Sequence, residues 1–185
     1  MDYKRAMKEE LLNFVKREGV EDLFAYMESI GFFEAPASGG HHLHCEGGLA
    51  EHSWNVYSIA VELNYSFDAK IPLESIAVAS LLHDLGKCGD YGKQMYVKNV
   101  LKSGSQSDAK PYKRNSDLLP LDHATRSLCI INRFMDLTED EEYAIRYHDG
   151  LYVPENAPVK GNETPLYIIL HTADLWSSRI TERKE

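Results

Sequence analysis

Apolar residues recur at helical spacing along most of the chain. Residues 3 to 17 and about 20 to 30 read as two short amphipathic helices, with Gly19 and Gly31 as C-terminal stops. Residues 34 to 48 hold Pro36, four glycines and three histidines and read as a loop. A helix from about Leu49 to Tyr65 follows, with His52, Val56, Ile59 and Leu63 on one face. Pro72 opens the next helix, whose run Ile76 to Leu82 is apolar on nearly all sides, so it should be central and buried. Gly86, Gly89 and Gly92 end it; Gln94 to Val100 could form a short strand or hairpin, and residues 103 to 116 a mobile loop. Helices resume at about 121 to 135 and 139 to 148, the second behind the capping box Thr138-Glu139-Asp140-Glu141. After a loop with Pro154, Pro158 and Gly161, Thr164 as N-cap and Pro165 at the first position open the last helix. The expected fold is all-α, a bundle of about seven helices with a small irregular or hairpin insertion near 89–116.

At 185 residues the chain fits one domain. No apolar run approaches the ~20 residues that span a bilayer, and the charged start Met1-Asp2-Tyr3-Lys4-Arg5 is not a signal sequence. Three scattered cysteines form no CxxC pair, which argues for a reducing, cytoplasmic location. The net charge of -9 disfavours binding along long nucleic acid, which needs many cationic contacts to phosphate. Yet Lys87, Lys93, Lys98, Lys102, Lys110, Lys113 and Arg114 face only Asp90 and Asp108 between residues 87 and 114, a local field that could draw in an anion.

The sharpest local feature is Leu81-Leu82-His83-Asp84-Leu85-Gly86-Lys87. A carboxylate at the end of a buried apolar helix costs several kcal/mol unless it is paired or bound to a cation. Neighbouring side chains point about 100° apart on a helix, so His83 and Asp84 need a distorted helix end to converge. His52 on an apolar face and Asp174 among Leu170, Ala173, Leu175 and Trp176 are equally odd sites for polar groups. Two imidazoles and two carboxylates from three helices suit a divalent ion with open positions for water and substrate.

The order His52, His83-Asp84, Asp174 resembles the HD-domain metal-dependent phosphohydrolases, helical bundles with the signature H…HD…D. The resemblance runs from about Phe32 to Arg179, which makes 1–185 a single HD domain with a helical extension over 1–31 and a core over 32–180. The stretch from Phe33-Glu34-Ala35-Pro36 through His41-His42 to Gly47-Gly48-Leu49-Ala50-Glu51-His52 is similar to the lead-in of one subgroup, found in 3′-to-5′ exoribonucleases and conjugative plasmid proteins. His123 and His148 match the extra histidines of binuclear members. The resemblance implies one or two divalent ions (Mn, Fe, Ni, Co, Zn or Mg) on His52, His83, Asp84, His123, His148 and Asp174, with Asp84 bridging. It implies hydrolysis of a phosphomonoester or phosphodiester by a metal-bound hydroxide, with Asp84 and Lys87 catalytic. The substrate is then a small phosphate-bearing molecule, a nucleotide or short oligonucleotide. The added oligonucleotide-binding fold of the exoribonuclease relatives has no room here.

Lys87 could neutralise transition-state charge or be a surface lysine after a helix stop. Arg126 and Arg179 are candidate phosphate contacts, against the plainer reading of exposed structural arginines. His41, His42 and His44 could line the substrate entrance, cap the site or be solvated; entrance lining is favoured, with His42 as a substrate contact. His171 could orient Asp174 or be a surface residue. Cys88 has no paired base and is given no catalytic role. Two other classes remain open, an HD-type di-iron oxygenase and a non-catalytic nucleotide-binding module.

Overall fold

The computed structural model describes residues 1–183. It has seven α-helices: α1 (Tyr3–Phe14), α2 (Val20–Ser29), α3 (Gly48–Ser66), α4 (Leu73–Leu82), α5 (His123–Ile131), α6 (Glu139–Tyr147) and α7 (Pro165–Trp176). The fold is all-α apart from two small antiparallel pairs inserted between α4 and α5. In the first, β1 (Gly89–Asp90) pairs with β2 (Lys93–Gln94); in the second, β3 (Tyr96–Lys98) pairs with β4 (Tyr112–Arg114) in the register Val97 to Lys113. Part of the segment expected as a mobile loop over 103–116, residues 112–114, thus folds back as a strand, and Val100 bridges to Gln106. α5 starts at His123 because the Asp122 side chain caps it, accepting from the Thr125 amide at 2.8 Å, and it ends at Ile131, four residues earlier than expected, in a turn over 132–134. α1 also stops early, at Phe14, and Gly19 serves as the N-cap of α2 rather than as its stop.

α4 is the centre of the bundle, as its apolar run predicts. Every side chain from Ile76 to Leu82 is buried, and the helix packs against α1, α3, α6 and α7. Met7, Leu11 and Val15 of the N-terminal segment belong to the same hydrophobic cluster. Arg17, just past α1, forks onto Glu141 of α6 at 2.6 and 2.7 Å and reaches Glu74 of α4 at 3.1 Å. The Glu141 carboxylate also closes the predicted capping box, accepting from the Thr138 amide. No helix among the described residues is long and apolar enough to cross a membrane.

Candidate metal centre

The polar exceptions to this apolar bundle meet at one end of α4. His52 lies on the buried face of α3. α4 stops at Leu82; His83 keeps helical angles, whereas Asp84 departs to φ -102°, ψ 9°, and a 3₁₀ turn spans Leu85–Cys88. This change of winding at Asp84 swings the carboxylate out of the helical series, so adjacent residues converge. Gly86 lets α5 approach, since a Cβ there would lie 2.2 Å from the His123 carbonyl oxygen. The Ser127 hydroxyl of α5 completes the junction, accepting from the Gly86 amide at 2.8 Å and donating to the His83 carbonyl at 2.7 Å. α5 thereby presents His123, the turn after α6 presents His148, and α7 presents Asp174.

The Asp84 carboxylate stands at the middle with its oxygens divided. Oδ2 lies 3.4 Å from His52 Nε2 and 3.4 Å from His83 Nε2. Oδ1 lies 3.2 Å from His123 Nε2 and 3.5 Å from His148 Nε2. Asp174 Oδ1 is 3.2 Å from His52 Nε2, and the Lys87 ammonium is 2.6 Å from Asp84 Oδ2. Three of the rings are anchored from behind: His83 Nδ1–H donates to the Ser80 carbonyl at 2.8 Å and His148 Nδ1–H to the Ile145 carbonyl at 2.7 Å. His52 Nδ1–H donates to the Glu182 carboxylate at 3.1 Å. Each anchor selects the tautomer whose Nε2 lone pair turns inward.

The residues present fit divalent ions. Nitrogen and oxygen donors bound at about 2.0–2.2 Å sit roughly 3.0–3.5 Å from one another around an ion, the spacing seen here. His52 Nε2, His83 Nε2 and both Asp84 oxygens are buried and lack aligned hydrogen-bond partners, an arrangement folded proteins otherwise avoid. Sets such as His52, His83, Asp174 and His123, His148, Asp149 could each hold an ion. Charge reinforces the geometry. Burial disfavours an ionised Asp84, but Lys87 and the imidazoles overcome it and hold the carboxyl well below the ordinary range. Asp174 is held low in the same way, mainly by His52. Burial is likewise outweighed at His148, whose partners Asp84 and Asp149 raise it to about 9, whereas burial drives His123 down to about 4.

All six expected ligands therefore converge. Two of them, His148 and Asp174, line a cavity of about 760 Å³, together with Lys87 and the loop residues His41, His42 and His44. Lys87 is mostly buried with its ammonium raised above its usual value: burial opposes the charge, but Asp84 and Asp174 more than compensate. His42 packs its ring 4.9 Å from that of His52. Arg126 is not among the cavity residues; it is buried, with its guanidinium donating to the Leu119 carbonyl at 2.8 Å. His171 does not contact Asp174 by hydrogen bond but donates from Nδ1 to the His148 carbonyl at 2.7 Å. Arg179 is exposed at the cavity wall, and the buried Cys88 thiol is pushed up by desolvation. Of the basic stretch only Lys87 lines the cavity, while Lys110 packs against Gly39 and Gly40 behind the histidine loop.

Two residues enter that sequence reasoning missed. Glu182 is buried and gathers Ser177 (2.6 Å), Asn55 (3.0 Å) and His52 onto its carboxylate. Asp149 places Oδ2 3.4 Å from His123 Nε2 on the cavity side. Its only sequence signal is adjacency to His148. The comparisons with known proteins agree with this geometry. The dihydroneopterin 2′,3′-cyclic phosphate phosphodiesterase of Methanocaldococcus jannaschii is 25% identical over 180 residues, covering 95% of this chain and 64% of that protein, so the chain spans less than two thirds of its relative's length. No solved structure matches the chain. The HD domain profile matches residues 49–175, a span that holds all six converging side chains. The chain belongs to the HD-domain family.

Proposed function

We propose that the protein is a metal-dependent phosphohydrolase acting on a phosphodiester or phosphomonoester of a small nucleotide-like molecule. The observation that carries this reading is the Asp84 carboxylate, whose two oxygens face separate imidazole sets beside Lys87 at the base of an open cavity. His52, His83, Asp84 and Asp174 would hold a first divalent ion, and Asp84, His123 and His148 would hold a second. Bound in this way, divalent ions supply an activated water nucleophile and polarise the phosphoryl oxygens. Lys87 stabilises the negative charge that grows on phosphate in the transition state. His42 is held neutral, lowered to about 4 chiefly by burial; its Nε2 is turned inward, 3.8 Å from the Glu182 carboxylate, and its ring lines the cavity, where it meets the substrate. The relative acts on a 2′,3′-cyclic phosphate, as its name states, which favours a small cyclic phosphodiester over a polymer.

Metal analysis followed by hydrolysis of a panel of phosphoesters, including nucleoside 2′,3′-cyclic phosphates, with Mn²⁺, Fe²⁺, Co²⁺, Ni²⁺, Zn²⁺ and Mg²⁺ tests the reading. Metal-dependent phosphate ester cleavage is expected. A mixed-valent iron pair by EPR together with no hydrolysis by any metal form would overturn it in favour of oxygen chemistry.

A further inference from the structure

A series of aromatic rings leads from the core to the mouth of the cavity. Tyr143 meets Tyr167 edge-on at 6.1 Å, Tyr167 lies parallel to His171 at 5.6 Å with 4° between the planes, and His171 stands 6.5 Å from Tyr152. Tyr167 is buried, whereas Tyr152 is 71% exposed on the cavity wall. His171 cannot swing away. Its Nδ1–H is tied to the His148 carbonyl, and its ring fills the space over Gly150, where a Cβ would lie 2.4 Å from Cε1. The tie leaves Nε2 as a fixed acceptor. Both His171 and Tyr152 line the same cavity as Lys87 and Asp174. Along α7, His171 precedes Asp174 by three residues, about 4.5 Å of helix axis.

We propose that the exposed Tyr152, braced by the fixed His171 ring, offers a stacking face for a planar heteroaromatic ring carried by the substrate, with the phosphoester seated at Asp84 and Lys87. This rests on the phosphohydrolase reading given above. An aliphatic group would call for an enclosed apolar pocket, whereas Tyr152 offers a flat face open to solvent, edged by the His171 acceptor nitrogen and the Asp149 carboxylate. Stacking tolerates many rings because each has a π face, and removal of one stacking partner weakens binding on the order of tenfold.

The test compares adenosine 2′,3′-cyclic phosphate with ribose 2′,3′-cyclic phosphate, which lacks the ring. Tyr152→Leu should raise KM for the adenosine compound about tenfold while leaving kcat within about twofold and the ribose compound unchanged; Tyr152→Phe should restore it. Equal effects on both compounds, or none on either, would overturn the platform. Equilibrium dialysis of adenosine 2′-monophosphate and ribose 2-phosphate against EDTA-treated protein separates this from the hydrolytic reading. Preferential retention of the adenosine compound, lost in Tyr152→Leu, supports the platform even if neither cyclic compound is hydrolysed. Absence of that preference rejects the platform even if both are.

Discussion

Two buried charge clusters in this protein look alike in composition and differ in closure. At the first, Glu141 is fully buried yet answered at every turn: Arg17 forks onto both its oxygens, and the Thr138 amide adds a third bond. At the second, Asp84 is equally buried with Lys87 2.6 Å from Oδ2, but neither its oxygens nor the facing Nε2 atoms of His52 and His83 have an aligned hydrogen bond. A cluster closed by the chain's own donors fastens helices together. One whose donors converge and remain open is built for something that arrives from outside.

Breaking the open cluster should have the largest effect. Asp84→Ala removes the only carboxylate shared by both donor sets, so turnover should fall at least about a thousandfold while helical circular dichroism persists. Appreciable hydrolysis by a folded Asp84→Ala protein would contradict the bridging role. Breaking the closed cluster should act on stability instead. Arg17→Met strands Glu141, and urea denaturation should show a loss of about 3–5 kcal/mol with metal content unchanged.

Glu182→Gln sharpens the contrast between the clusters. It keeps the shape behind His52 but removes the charge, and metal affinity in a chelator competition should drop about tenfold with little change in melting temperature. The mildest test is pH. Metal requires a neutral His148, and this ring is raised to about 9 by Asp84 and Asp149 against the effect of burial. Below that pH a proton must leave, so affinity at the second set should fall up to tenfold per unit of acidification, and binding should release protons measurable by calorimetry in two buffers. The raised pKa also means that metal-free protein draws full stability from this group below pH 6.5 and loses it as pH rises through about 9.

The helices were legible because they obey regular spacing: α4 is apolar on every side, and His52 shares its face with Val56, whereas His123 and His148 were legible only through the family resemblance. Glu182 was not, since it stands eight residues after Asp174, about 80° away on a straight α-helix. The chain instead passes through a π turn at Ser177–Thr181, marked by the Glu182 amide donating to the Ser177 carbonyl. That turn winds only about 80° per residue and returns Glu182 to the azimuth of Asp174. Arg126 misled in the opposite direction. A cation one turn after His123 suggested phosphate, but its helix face is turned to Leu119, and no local pattern records which way α5 is rolled. The basic stretch failed for a related reason: charge along a sequence does not say which side of a hairpin it will occupy.

The junction at Gly86 acts as a ruler for the whole centre. The Asp84 carboxylate is fixed to the end of α4, while His123 rides on α5, and what separates them is the missing side chain at position 86. A single methyl group there would meet the His123 carbonyl and the Ser127 amide, both backbone atoms that can yield only by displacing the helix. Gly86→Ala would thus lever His123 outward and leave His52, His83 and Asp174 in place. Two donor sets stay within reach of one carboxylate because a hydrogen occupies the point where any other residue would put carbon.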